Sequence, residues 1–210
     1  MEAINLYQSN TVRINELYAS LKAVIESTGV VPEGNCMYYH NSFTVFPELI
    51  NKRANLLWAA QGRSAICEIG FNAGHSAALL ALPNNAPITF FDIAEHPYVE
   101  PCFQHLCGAL PNEMELIKGD SRVTLPDYLA RNGGEQFDLI HVDGGHQENV
   151  FVSDFACALK LAKKGALLIV DDTNIPYISV GVDAAIKQGL VEAVDVLYTI
   201  GYEHRIVRRV

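Results

Sequence analysis

The chain has 210 residues, a length that suits one compact domain able to bury most of its apolar surface. Half of the residues are hydrophobic and 19% are charged, which excludes a disordered or fibrous chain. The net charge of −9 points away from a nucleic-acid partner, because phosphate binding needs clustered Lys and Arg; the one basic cluster, Arg205, Arg208 and Arg209, reads as the solvated end of a last strand.

From the N-terminus, residues 1–60 read as two amphipathic helices near 3–27 and 45–61. Between them lies an irregular segment, Gly29 to Thr44, carrying Tyr38, Tyr39, His40, Asn41, Ser42 and Phe43. A lid over a site and a surface loop with aromatics tucked into the core are both open readings. The first apolar stretches are broken by Asn5, Gln8, Arg13, Glu16 and Lys22, so neither a signal peptide nor a spanning helix is expected. The five cysteines (Cys36, Cys67, Cys102, Cys107, Cys157) include no C-x-x-C pair and are odd in number, which points to a reducing compartment and a cytosolic protein.

From Ala65 onward, aliphatic runs alternate with helix-like segments. Strands are expected near 65–69, 87–92, 114–118, 137–142, 166–170, 191–199 and 203–209, with helices near 75–82, 99–109, 121–131, 148–162 and 179–189. Gly165, Gly189 and Gly201 stand where elements should stop. Only about Ile200 to Tyr202 separates the last two strands, so they are expected to form an antiparallel hairpin. The expectation is a doubly wound α/β domain over 1–210, with a mostly parallel seven-stranded sheet, a helical extension or lid at 1–60 and a ligand-binding core at 61–210.

The first strand of that core ends in Gly70-Phe71-Asn72-Ala73-Gly74-His75-Ser76 and opens a helix. Two glycines four apart let the backbone turn sharply and approach a nucleotide-like ligand, while the helix start offers free N–H groups. Glu68 stands where a dinucleotide-binding motif would begin with glycine. A carboxylate there repels a pyrophosphate and favours a cation, and S-adenosylmethionine carries both a sulfonium and an ammonium. A tight turn without a ligand is the plain alternative. Asp92 ends the second strand, placed to bind ribose hydroxyls, and His75 reads as lining the same site. Asp120 and Ser121 follow the third strand beside the expected adenine pocket, though taken alone they read as a helix cap.

The fourth strand ends in Asp143-Gly144-Gly145-His146 and the fifth in Asp171-Asp172-Thr173. Side by side, these strands would crowd Asp143, Asp171 and Asp172, and a hard divalent ion is the natural relief: Mg²⁺ first, Mn²⁺ or Ca²⁺ as alternatives. Such an ion would lower the pKa of an acceptor hydroxyl, and His146 could take its proton as general base. Helix capping by Asp143 and Asp171, with His146 as a surface side chain, is the bland alternative. His141, inside an apolar strand, reads as a packed histidine.

Over roughly residues 40–210 the chain resembles the class I S-adenosylmethionine-dependent methyltransferases, and among them the metal-dependent O-methyltransferases. The motifs that carry the likeness are Glu68 to Ser76, Asp143-Gly-Gly-His146 and Asp171-Asp172. The resemblance implies a Rossmann-like fold, with Gly70 at the methionine part, Ser76 at its carboxylate, Asp92 at the ribose, and Asp120 with Ser121 at the adenine. It also implies metal ligation by Asp143, Asp171 and Asp172. His146 stands where catechol-type members keep a lysine and where some enzymes acting on macrolide sugars keep a histidine. Asp172 replaces an asparagine common in the catechol type. A small sugar- or glycan-like acceptor is therefore expected, with a catechol or other phenol as the alternative. A nicotinamide-dependent oxidoreductase and a non-catalytic cofactor-binding module are competing readings, which Glu68 and the acids with His146 respectively oppose. The helical N-terminal segment offers a surface for a homodimer or for closure over substrate.

Overall fold

Runs rich in Ile, Leu, Val and Phe form strands here because their side chains fill a sheet buried on both faces. The structure is a computed structural model and describes residues 2–200 and 203–210. Strands β1 (Ile66–Ile69), β2 (Ile88–Asp92), β3 (Met114–Lys118), β4 (Phe137–Val142), β5 (Ala162–Val170), β6 (Val191–Ala193) and β7 (Arg205–Arg209) form one sheet, ordered β3-β2-β1-β4-β5-β7-β6. The first five are parallel, and β7 lies antiparallel between β5 and β6. The order reverses between β1 and β4, so a crevice opens at the carboxyl ends of these two strands, where open α/β sheets bind ligands.

Successive residues point to opposite faces. Ile66, Phe90, Leu139 and Ile169 pack under α1 (Glu2–Ser9), α2 (Thr11–Ser27), α3 (Ile50–Ala60), α4 (His75–Ala81) and α5 (Val99–Ala109). Cys67, Phe91, Ile140 and Leu168 pack under α6 (Ser121–Asn132), α7 (Glu148–Leu161) and α8 (Pro176–Lys187). The first sixty residues are thus part of one helical layer: α1 lies on α3, α3 on α4, and α2 on α4 and α5. The Gly29–Thr44 segment buries Tyr38 and leaves Tyr39 exposed.

Four features differ from expectation. The first helix breaks at Asn10, where Ser9 Oγ and Asn10 Nδ2 both donate to the Leu6 carbonyl and compete with the helical ladder. The expected strand over 191–199 stops at Ala193, because farther on the chain bonds to α3: Asn55 donates to the Leu197 carbonyl at 2.8 Å and accepts from its N–H at 3.2 Å. The last two strands are antiparallel neighbours joined by a long connection, and Gly201 and Tyr202 of the expected turn lie outside the described residues. Helix α8 begins at Pro176, whose fixed φ suits a first helical position, three residues before the expected start. All five cysteines are free. Among the described residues no helix is long and apolar enough to cross a membrane.

Candidate active site

After β1 the chain turns through Gly70, Asn72 and Gly74, all at positive φ (97°, 50° and 78°). Packing dictates both glycines. A Cβ on Gly70 would lie 1.9 Å from the Asp143 carbonyl oxygen, and one on Gly74 would lie 2.8 Å from the Phe71 ring. The turn is thereby pressed directly against the end of β4. Asp92, half-buried at the tip of β2, braces it by accepting from the N–H of Asn72 at 2.8 Å and of Ala94 at 2.7 Å. The Asn72 side chain donates to the Gly34 carbonyl and ties the 29–44 segment to the turn. His75 opens α4 between the rings of Tyr18 and Tyr38, with centroids 5.3 Å away in each case. Its burial pushes the imidazole pKa down to about 4, so it stays neutral at physiological pH. Ser76 is buried one residue on.

Asp120 caps α6, accepting from the Arg122 N–H at 2.9 Å, and both its carboxylate oxygens meet the Arg122 guanidinium. Those hydrogen bonds hold its pKa below the ordinary value. Ser121 faces Asp154 of α7, a carboxyl that is 1% exposed and without a hydrogen-bond partner among the described residues at standard geometry. Burial pushes Asp154 up to about 6 against the pull of the Ser121 hydroxyl.

The acids gather where β4 and β5 end. Val142 lies opposite Val170, so Asp143 and Asp171 leave adjacent strand tips together. Asp172 then adopts a left-handed φ of 52° and the two neighbouring aspartates diverge. Asp171 turns inward, where its Oδ2 meets the Lys52 ammonium from α3 and lies 3.9 Å from His141 Nε2. His141 Nδ1 pairs with Glu68 Oε1 at 2.8 Å across β1 and β4, with both side chains fully buried. Asp172 turns outward to His146, Oδ2 to Nε2 at 2.7 Å, and the Tyr177 hydroxyl donates to the His146 carbonyl. Asp143 stands between. The ligand atoms of His141, Asp143 and Asp171 lie within 4.8 Å of one another, as do those of Asp143, His146 and Asp172. The expected trio Asp143, Asp171 and Asp172 is therefore divided between two clusters. A cavity of about 10 Å³, room for one water, lies among Asp143, Gly145, His146, Asp154 and Asp172.

Charge follows this arrangement. Burial works against the Lys52 cation, yet Asp171 and Asp143 outweigh it and hold the ammonium above its ordinary pKa. Burial would likewise raise Asp171, but Lys52, His141 and His204 keep it below the usual carboxylate value. Burial and the Asp171 charge push Asp143 well up. The hydrogen bond to Asp172 raises His146 above 6.5.

The profile of a family described as a methyltransferase domain matches residues 67–173, just over half of the chain and every strand tip just described. The chain belongs to the methyltransferase-domain family. No curated protein matches this methyltransferase in sequence. Among solved structures it is similar to an O-methyltransferase from Bacillus cereus in complex with S-adenosylhomocysteine, at 19% identity over 93% of this chain and 90% of that one, TM-score 0.69. It is similar also to the TDP-rhamnose 3'-O-methyltransferase of calicheamicin biosynthesis, at 18% over 75% and 77%, TM-score 0.55. A third is the N-methyltransferase NodS from Bradyrhizobium japonicum in complex with S-adenosylhomocysteine, at 16% over 78% and 88%, TM-score 0.58. At these identities the likeness establishes the shared fold. Its members methylate oxygen and nitrogen alike, so the acceptor atom has to be read from side chains.

Three residues of the methyltransferase site escape a reading of the sequence. Lys52 lies in Asn51-Lys52-Arg53-Ala54-Asn55, which looks like a solvated face, yet Lys52, Arg53 and Asn55 are all buried. His141 is packed as expected, but onto Glu68; a signal existed, since each residue stands two places before its strand-end motif. Asp154 is the lone acid on the apolar face of Phe151-Val-Ser-Asp-Phe155.

Proposed function

We propose that this methyltransferase moves the methyl group of S-adenosylmethionine to a hydroxyl oxygen of a small sugar- or glycan-like acceptor, with His146 as general base. The observation that carries this reading is the 2.7 Å contact of His146 Nε2 with Asp172 Oδ2, in which His146 is 62% exposed and Asp172 only 11%. That contact assigns the proton to Nε2, so Nδ1 keeps the lone pair that a substrate hydroxyl needs. S-adenosylmethionine supplies an electrophilic methyl on its sulfonium. The chain's own part is to hold the acceptor oxygen in line and to take its proton at Nδ1, while Asp172 balances the imidazolium that forms. Tyr177 fixes the His146 backbone from below.

Donor binding is supported by what the crevice offers. Among the described residues Glu68 Oε2 is buried without a hydrogen-bond partner, which leaves it as an acceptor for the donor's ammonium. Asp92 keeps lone pairs for ribose hydroxyls beyond its two backbone bonds. Gly70, Asn72, Gly74, His75 and Ser76 line the turn, Asp143 faces it from β4, and Asp120 with Ser121 borders the adenine end in this reading. The cytosol is its setting.

The divalent ion implied by the metal-dependent relatives does not fit these residues as they stand. Asp171 is engaged by the Lys52 ammonium, and His146 Nε2 carries a proton to Asp172, which bars that nitrogen from ligation. A histidine base suits an alcohol more than a catechol, whose ring hydroxyls need less help, and a sugar-methylating neighbour shares the fold.

The test is methyl transfer from labelled S-adenosylmethionine to a panel of nucleotide sugars, free glycosides, catechols and amines. The reading predicts transfer to a sugar hydroxyl that is lost in His146→Ala. Transfer only to catechols or amines, or full transfer by His146→Ala, would contradict it.

A further inference from the structure

The acid cluster at the tips of β4 and β5 holds a cation of its own. Lys52 is 4% exposed, and a lysine is almost never so buried without an acidic partner. Its ammonium meets Asp171 Oδ2, and these side chains are 5% and 1% exposed, so water screens the pair little. Asp143 and Asp172 also act on the Lys52 charge. The ammonium therefore sits on one of the three carboxylates that the resemblance to metal-dependent enzymes would give to an ion. Lys52 comes from α3, outside the matched span 67–173.

The geometry points to Lys52 as the resident cation of this site: its ammonium engages the Asp171 carboxylate that a divalent ion would need, and leaves the enzyme independent of metal. This inference rests on the methyl-transfer reading above for its meaning, not for its test. Lys52 is a positioning residue and acts through Asp171. That aspartate lies 3.9 Å from His141 Nε2, and His141 is bonded to Glu68 at the cofactor turn. A dication on Asp171 would have to displace the ammonium or share one carboxylate with it, and like charges that close repel strongly. Asp172 is thereby left to His146.

The decisive experiment is a Mn²⁺ titration of the whole protein, followed by electron paramagnetic resonance of the free aquo ion and read without any methyl transfer. Wild-type protein stripped with EDTA is expected to bind no Mn²⁺ at the cluster. Lys52→Ala, which removes the charge and opens space, is expected to gain at least about tenfold in Mn²⁺ affinity, and Asp143→Asn added to it should abolish the gain. Stoichiometric Mn²⁺ binding by wild type that Asp143→Asn removes would overturn the inference. So would a folded Lys52→Ala that binds none. Should Lys52→Ala fail to fold, the wild-type titration still decides, with Lys52→Met/Asp171→Asn as the charge-free control that should bind none. Failure of the donor reading would appear separately, as absence of S-adenosylhomocysteine binding.

Discussion

Removing the Lys52 side-chain charge strands a carboxylate in the core. In Lys52→Met, Asp171 keeps its 1% exposed position and loses its contact with the ammonium. Breaking one side of a buried ion pair costs about 3–5 kcal/mol. For a chain of this size each kcal/mol lowers Tm by about 2–4 °C, so thermal denaturation followed by circular dichroism should show a drop of roughly 6–20 °C at pH 7. Asp171→Asn should cost a similar amount by stranding the ammonium. The double variant Lys52→Met/Asp171→Asn removes both charges and should recover most of the loss, a coupling of at least about 2 kcal/mol. The pH dependence has a definite sign. In wild type the folded Asp171 pKa is depressed, so its contribution is complete above the unfolded value near ~3.9 and declines only as pH falls through the folded value. In Lys52→Met burial dominates and raises that pKa, so the deficit should be largest at neutral pH and shrink toward pH ~4. Single losses that simply add in the double variant, or a Tm unchanged in Lys52→Met, would refute the pairing.

Other outcomes follow from the same geometry. His146 acts only when deprotonated, and Asp172 holds its pKa above 6.5, so kcat/KM should rise with pH through a limb above that value. Asp172→Asn should move the limb to lower pH, while His146→Ala should slow turnover by about 10²–10⁴-fold; a limb that stays put in Asp172→Asn removes that residue from the pair. Asp154 is raised to about 6, so folding opposes its ionisation and wild type is penalised as pH climbs through that value. Asp154→Asn should therefore gain roughly 3 kcal/mol of stability at pH 8 and little at pH 4; an equal effect at both would show that its charge is not the cause.

Much of this architecture is legible in the residues because it rests on local rules. Aliphatic runs such as Ala166 to Val170 can only be buried strands, and a glycine turn before Ser76 can only open a helix. The strand-tip motifs are legible for the same reason, since parallel strands place their ends together. What stays hidden is the direction of side chains where backbone departs from regular structure. Adjacent Asp171 and Asp172 look like two ligands of one ion, and a left-handed φ at Asp172 sends them to different partners. Lys52 is hidden by distance: the nearest acid in sequence is Glu48, one helical turn away, whereas its partner Asp171 lies more than a hundred residues away across the sheet. Asn55 hides in the same way, replacing a strand neighbour for Leu197 and cutting β6 short.

The most direct measurement is a crystal structure of the enzyme grown with S-adenosylhomocysteine. The thioether sulfur should face the His146 imidazole across an open space for the acceptor, with the ribose on Asp92 and the amino group on Glu68. A ligand bound elsewhere, or with its sulfur turned away from His146 behind packed side chains, would contradict the proposed chemistry.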